Sequence, residues 1–259
     1  MMKEFQNSRY EKIHISADRV YRPRGFWSEP VHALLTHLRN EQFYSAPQSF
    51  GFDDNGNETL SYVAGDVYNY PLAGAIVSNE ALSSAATLLR RYHDATISFV
   101  NSPVCHEATW LLPRREPQEV ICHGDYGPYN VALNGNRVVG VFDFDTAHPA
   151  PRIWDIAYAV YCWAPFKTKP DDVLGNLVSQ AERAKQFCNA YGLPHADRHQ
   201  LVDTIIERLQ VLVAFMLAEA GSGNKAFVAN IADGHHFAYR DDIAYLELNY
   251  SEITQALLQ

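Results

Sequence analysis

The tightest constraint in this chain is the stretch from 120 to 160, VICHGDYGPYNVALNGNRVVGVFDFDTAHPAPRIWDIAYAV. It opens on His123-Gly124-Asp125, sets Asn130 five residues beyond that aspartate, and places Asp143 directly after the largely apolar run 138–142. Polar groups spaced in this way within apolar sequence serve a site, because they are residues a core otherwise excludes. The segment Leu133-Asn134-Gly135-Asn136-Arg137-Val138 carries the Asn-Gly signal of a tight hairpin. Such a hairpin would bring Asn130 and Asp143 to the same end of two paired strands.

The chemistry these residues suit is phosphoryl transfer, in which a protein positions a hydroxyl, accepts its proton and holds magnesium against a triphosphate. The protein-kinase pattern H-R-D-x-x-x-x-N followed later by D-F-G has the same parts. Here the first motif runs from His123 to Asn130 with Gly124 in place of Arg, and the second reads Asp143-Phe144-Asp145. Hard oxygen donors of this kind suit magnesium. A rival arrangement is a His/Asp metal cluster for hydrolysis, built from His123, Asp125, Asp143, Asp145 and His148. It leaves Asn130 and its spacing unexplained.

HGDxxxxN, a short hairpin, an Asp at the end of an apolar strand and then Asp155-Ile156-Ala157 opening a helix together resemble the aminoglycoside phosphotransferase family of small-molecule kinases. The resemblance covers residues 120 to 160. It implies that Asp125 is the catalytic base, that Asn130 and Asp143 are magnesium ligands, that His123 braces the loop, and that Asp155 is a structural support of the site. It also implies a nucleotide donor, ATP or GTP, and a small-molecule acceptor. Asp155 is equally a good helix N-cap in its own right. Asp145 reads as a solvated loop carboxylate, and His148, ahead of Pro149-Ala150-Pro151, as a surface residue.

The wider chain fits such a protein. Its 259 residues can bury a substantial core in one large or two modest domains. A net charge of −9 argues against nucleic acid or an anionic membrane surface as the main partner. Cys105, Cys122, Cys162 and Cys188 show no C-x-x-C spacing, so neither a zinc knuckle nor a redox motif is indicated, and a reducing cytoplasm is expected. The opening MMKEFQNSRYEK is polar, and no run approaches the ~20 apolar residues of a membrane span.

Residues 1–66 are expected to form a small sheet-bearing lobe that ends in a hinge, and residues 67–259 a helical lobe holding the catalytic loop, the metal site and the acceptor region. The predicted fold class is therefore α+β, a bilobal protein-kinase-like fold with a shortened N-terminal lobe. Strands are predicted at 13–15, 19–22, 46–52 and 59–63, the last two joined by the Asn55-Gly56 turn. A helix follows Trp27, with Ser28 as N-cap and Val31, Leu34, Leu35 and Leu38 on one apolar face. In a kinase-like fold Tyr62, Val63 and Gly65 would line the nucleotide pocket. No glycine precedes Gly25, so a phosphate-covering glycine loop is missing. The basic role would fall to Arg22, with Glu29 as its ion-pair partner. With its clamping lobe cut down, the chain is either an active kinase or a non-catalytic binding or immunity protein that sequesters a small molecule.

After the first lobe, helices are expected at 80–95, from Asp171-Asp172 to Tyr191, at 197–220, and at 236–258. His93 reads as a core histidine, and His235-His236 as surface or cap residues. Glu219, Asp233, Asp241 and Asp242 are the acidic candidates for a cationic, aminoglycoside-like acceptor, each more simply a solvated helix-end charge.

Overall fold

The computed structural model describes residues 13–259, so the polar opening stretch read above lies outside the described residues. The chain divides into two compact units. The first takes the described residues up to Val67, then 88–125 and 130–152; the second takes 68–87, 126–129 and 153–259.

The first unit is built on a four-stranded antiparallel sheet in the order β1-β2-β4-β3. Its strands are β1 (His14–Ser16), β2 (Arg19–Pro23), β3 (Ser49–Phe52) and β4 (Asn57–Ser61), with helix α1 (Ser28–Asn40) inserted after β2. The Asn-Gly turn forms as expected, with Asp53 Oδ1 accepting from the amides of Asn55 and Asn57. Val31, Leu34, Leu35 and Leu38 are all buried, so α1 presents the predicted face. Ser28 is not its cap. Ser28 is already the first helical residue, with Trp27 at the cap position; its hydroxyl donates to Glu58 and accepts from the Gly25 amide, and the helix has no side-chain cap.

Helix α2 (Asn79–Val100) runs longer than predicted, and Ser78 Oγ accepts from the Ala81 amide at its start. The residues of α2 from Leu88 onward belong to the first unit, as do the short α3 (Pro103–Glu107), β5 (Val120–Cys122), the hairpin β6 (Val131–Asn134) and β7 (Arg137–Val141), and β8 (His148–Ala150), which pairs antiparallel with β5. All four cysteines of the chain are free and buried.

The second unit is helical: α4 (Arg152–Trp163, from Ile153 onward), α5 (Leu177–Tyr191), α6 (His195–Arg198), α7 (Leu201–Gly221), α8 (Lys225–Ala232), α9 (His235–Leu248) and α10 (Tyr250–Leu258). Helix α5 starts six residues after Asp171, because Asn176 and Ser179 form a capping box there. The single closing helix expected over 236–258 is two. Asn249 interrupts it, its side-chain amide donating to Tyr245 O at 2.7 Å, a local bond that competes with the helical ladder. Asp155 lies in the first turn of α4, three residues past its start, so it is a buried carboxylate and not the N-cap. No helix among the described residues is long and apolar enough to cross a membrane.

Candidate active site

The loop 123–130 begins where β5 ends. His123 is fully buried; its Nε2 lies 3.0 Å from Phe142 O, and its Nδ1 accepts from the Asp125 amide at 3.3 Å. A carbonyl only accepts, so the ring carries its proton on Nε2 and offers Nδ1 as acceptor. Phe144 packs on the ring with centroids 4.8 Å apart. The histidine thus ties the loop to the end of β7 and sets the backbone at Asp125.

Gly124 explains the missing arginine. Its φ is +82°, and a Cβ there would overlap Thr146 O. Thr146 Oγ1 in turn donates to His123 O at 3.0 Å, so the loop closes onto the segment after Asp143. Asn130 then folds its side chain back: Nδ2 donates to Asp125 O at 2.9 Å and to Asp125 Oδ2 at 3.0 Å. This leaves the amide oxygen of Asn130 as its donor toward a cation.

The hairpin does what its turn signal predicted. Val131 stands opposite Val141, and the Phe142 amide donates to Asn130 O at 3.0 Å. Asn130 and Asp143 therefore flank the first rung of one ladder. Asp143 itself takes the left-handed conformation, φ +65° and ψ +66°, which turns the chain sharply out of β7.

Arg22 meets this pair. Its NH1 lies 3.2 Å from Asp143 Oδ1, its NH2 2.5 Å from Asp145 Oδ1, and its Nε 2.9 Å from Glu58 Oε2. The expected partner Glu29 is elsewhere, pairing with Arg24 at 3.1 Å on the exposed side of α1. The reason is register: Arg22 and Glu58 are direct cross-strand partners in the β2–β4 ladder, so Glu58 reaches the guanidinium without help from a helix. Ser28 donates to Glu58, and His32, stacked on Phe52, places Nε2 3.7 Å away from it.

The electrostatics follow from the count. Three carboxylates surround one guanidinium, a formal balance of −2. Burial opposes the charge on Arg22, but Asp145, Asp143 and Glu58 overcome it and hold the guanidinium charged. At Glu58 burial is likewise outweighed, by His32, Arg22 and Ser28, and its carboxyl lies below the usual range. Asp145 goes the other way: burial first, then Asp143, pushes it up to about 6 despite Arg22. Asp145 is thus no solvated loop group. His148 is also buried, its Nδ1 2.8 Å from Thr146 O, because the proline-rich segment becomes β8 and pairs with β5 instead of facing water.

A divalent cation suits this donor set. The amide oxygen of Asn130 and the carboxylate of Asp143 are hard oxygen ligands, and a surplus of two negative charges awaits neutralisation. Of the predicted nucleotide segment, Tyr62 is tied to β2's approach through its amide on Asp18 O, and Val63 occupies the space a Cβ at Gly140 would need. Asp66, next to Gly65, exchanges two backbone hydrogen bonds with Leu133 of β6, at 2.8 and 2.9 Å. Val63 and Gly65 thus run along the same hairpin that carries Asn130 and Asp143.

Asp155 belongs to the second unit, where its charge, after burial, helps to hold the Tyr126 phenol well above its ordinary value. His93 is buried, as expected of a core histidine. Asp242 and His236, expected at the surface, are buried as well. The residues that sequence reasoning missed are Glu58 and Gly140, and Asp145, which reads as solvated in the sequence, is buried.

The APH family, described as a phosphotransferase enzyme family, matches residues 104–202. A trifolitoxin immunity protein of Rhizobium leguminosarum bv. trifolii is 35% identical over 196 residues, covering 72% of each chain. Among solved structures, a choline/ethanolamine kinase family protein from Mesorhizobium loti superposes with a TM-score of 0.63 at 14% identity, over 100% of this chain and 92% of that one. The GDP complex of aminoglycoside 2'-phosphotransferase-IIIa gives 0.62 at 13% identity, over 94% and 92%. ADP-bound aminoglycoside phosphotransferase APH(2'')-Ib gives 0.61 at 12% identity, over 100% and 93%. The α+β architecture is thus the kinase-like fold of these structures, and the chain belongs to the APH phosphotransferase enzyme family.

Proposed function

We propose that this protein is a magnesium-dependent small-molecule kinase that transfers the γ-phosphate of ATP or GTP to an acceptor hydroxyl. The observation that carries the reading is the joining of Asp125, Asn130 and Asp143 by a shared hydrogen-bonded loop and hairpin rung. Asp125 orients the acceptor hydroxyl and takes its proton, held in place by Asn130 and by the Nδ1 of His123. Asn130 and Asp143 hold magnesium, which supplies neutralisation of charge on the phosphates when bound. Arg22 is the basic group facing the phosphates, and Tyr62, Val63 and Gly65 form the nucleotide-facing edge of the sheet-bearing lobe, residues 1–66. The helical lobe, residues 67–259, carries the catalytic loop, the metal site and the acceptor region, and Asp155 is a structural support of the catalytic site. Four free, buried thiols suit a reducing cytoplasm.

In this reading Asp125→Ala abolishes turnover while leaving the circular dichroism spectrum and nucleotide affinity in place. Turnover retained within tenfold refutes it. A second reading has its own support, the 35% identity to an immunity protein. There the fold sequesters a toxic small molecule stoichiometrically, and protection of cells survives both Asp125→Ala and Asp143→Ala. The acceptor expected from sequence is cationic and aminoglycoside-like.

A further inference from the structure

The second unit holds a lysine in an unusual setting. Lys167 Nζ stands 3.9 Å from the ring centre of Tyr161, 5.4 Å from that of Tyr70 and 5.8 Å from that of Tyr239. It makes one hydrogen bond, 2.7 Å to the Tyr161 hydroxyl. An ammonium has three donors, so two remain for a ligand. Among the described residues no carboxylate forms an ion pair with it.

The acid that balances Lys167 is one step removed. Tyr161 is fully buried and donates to Asp242 Oδ2 at 2.6 Å, which turns an oxygen lone pair toward the ammonium. Asp242 Oδ1 is taken by the amide and hydroxyl of Thr168, at 2.7 and 2.8 Å. Burial and the charge of Asp242 hold the Tyr161 phenol well above its ordinary value, so it remains a donor at neutral pH. Asp242 is therefore spent on the cradle and cannot receive a cationic acceptor. The half-buried faces of Tyr70 and Tyr239 flank the ammonium.

We propose that Lys167, framed by Tyr70, Tyr161 and Tyr239, is a recognition site for a carboxylate borne on a flat or apolar body. The two spare N–H groups take the carboxylate oxygens, and the tyrosine faces take the body. It rests on the kinase reading only in being called the acceptor's subsite, and its test uses no nucleotide.

The probes are hippurate, its neutral primary amide, and benzyltrimethylammonium, titrated against the full chain by calorimetry and saturation-transfer NMR. Hippurate is expected to bind roughly tenfold or more tighter than the amide, the share of one charge-assisted contact. Lys167→Met is expected to erase that preference, and Lys167→Arg to retain it. The comparison of hippurate with its amide needs no variant, so it stands even if Lys167→Met fails to fold. Equal binding of acid and amide overturns the proposal, as does absence of hippurate binding at about 10 mM. Preferential binding of benzyltrimethylammonium overturns it too, and makes the tyrosines an ammonium cage with Lys167 as its internal occupant. Turnover retained in Asp125→Ala refutes the kinase reading and leaves the hippurate preference untouched, whereas equal binding of acid and amide refutes this site alone, so the two readings fail separately.

Discussion

Replacing Arg22 by methionine keeps most of the side chain's volume and removes its charge. Glu58 and Asp145 then remain in the interior with side chains 1% and 11% exposed, while Asp143, at 38%, can recruit water. Breaking one partner out of a buried ion pair costs about 3–5 kcal/mol, because the abandoned charge stays desolvated. Two such charges are stranded here, but protonation of Asp145, already pushed up to about 6, relieves one of them. The expected loss is therefore about 4 kcal/mol at pH 7. With a urea slope of roughly 2–3 kcal/mol per molar, the unfolding midpoint falls by about 1.3–2 M. Arg22→Met combined with Asp145→Asn should recover roughly 1–3 kcal/mol of this as a coupling energy. A midpoint shift corresponding to under about 1 kcal/mol would show that the guanidinium holds no essential charge balance.

Other expectations follow from the same geometry. The folded state binds a proton at Asp145 near pH 6, above its ordinary 3.8, so this group's contribution to stability falls as pH rises between those values. About one unit of that window lies between pH 5 and 7, roughly 1.4 kcal/mol, and this difference between the denaturation curves at the two pH values should vanish in Asp145→Asn. Asp143→Ala should abolish magnesium-dependent nucleotide binding in calorimetry, and unchanged affinity would remove Asp143 from the metal site. Gly140→Val should drive a side chain into Val63 and weaken nucleotide binding at least severalfold; unaltered affinity would place the adenine elsewhere. Phe144→Ala removes the ring that packs on His123 and fills the space beside Tyr92, and should cost about 3–5 kcal/mol in thermal or urea unfolding.

What could be read in advance was local. The His123 to Asn130 spacing, the Asn-Gly hairpins and the apolar faces of α1 and α2 depend on residues close in sequence, and all appear in the structure. The basic partner of the site depended on strand register. Arg22 and Glu58 face each other only because β2 pairs with β4, across an intervening helix and strand, and no local pattern states that pairing. Glu29 was the nearer acid in sequence and the wrong one. Asp145, His148 and Asp242 were misjudged for a related reason: polar residues in loops or at helix ends are solvated by default, and only tertiary packing buries them. The breaks at Asn176 and Asn249 were legible in principle, since both rest on asparagine side chains bonding backbone three or four residues away, Ser179 N and Tyr245 O.

Timing during synthesis gives the Arg22 arrangement a further meaning. Asp143 lies 121 residues downstream of Arg22, and Asp145 lies 123. At roughly 5–20 residues per second, the arginine emerges about 6–24 s before the acids it will finally hold. Glu58 is only 36 residues away and sits on the neighbouring strand, so it can engage the guanidinium as soon as the first sheet closes. The hairpin that carries Asn130 and Asp143 is made of near neighbours and folds in microseconds once it is made. Of the three acids around Arg22, Glu58 is thus the one the chain can offer it before residue 143 has been made.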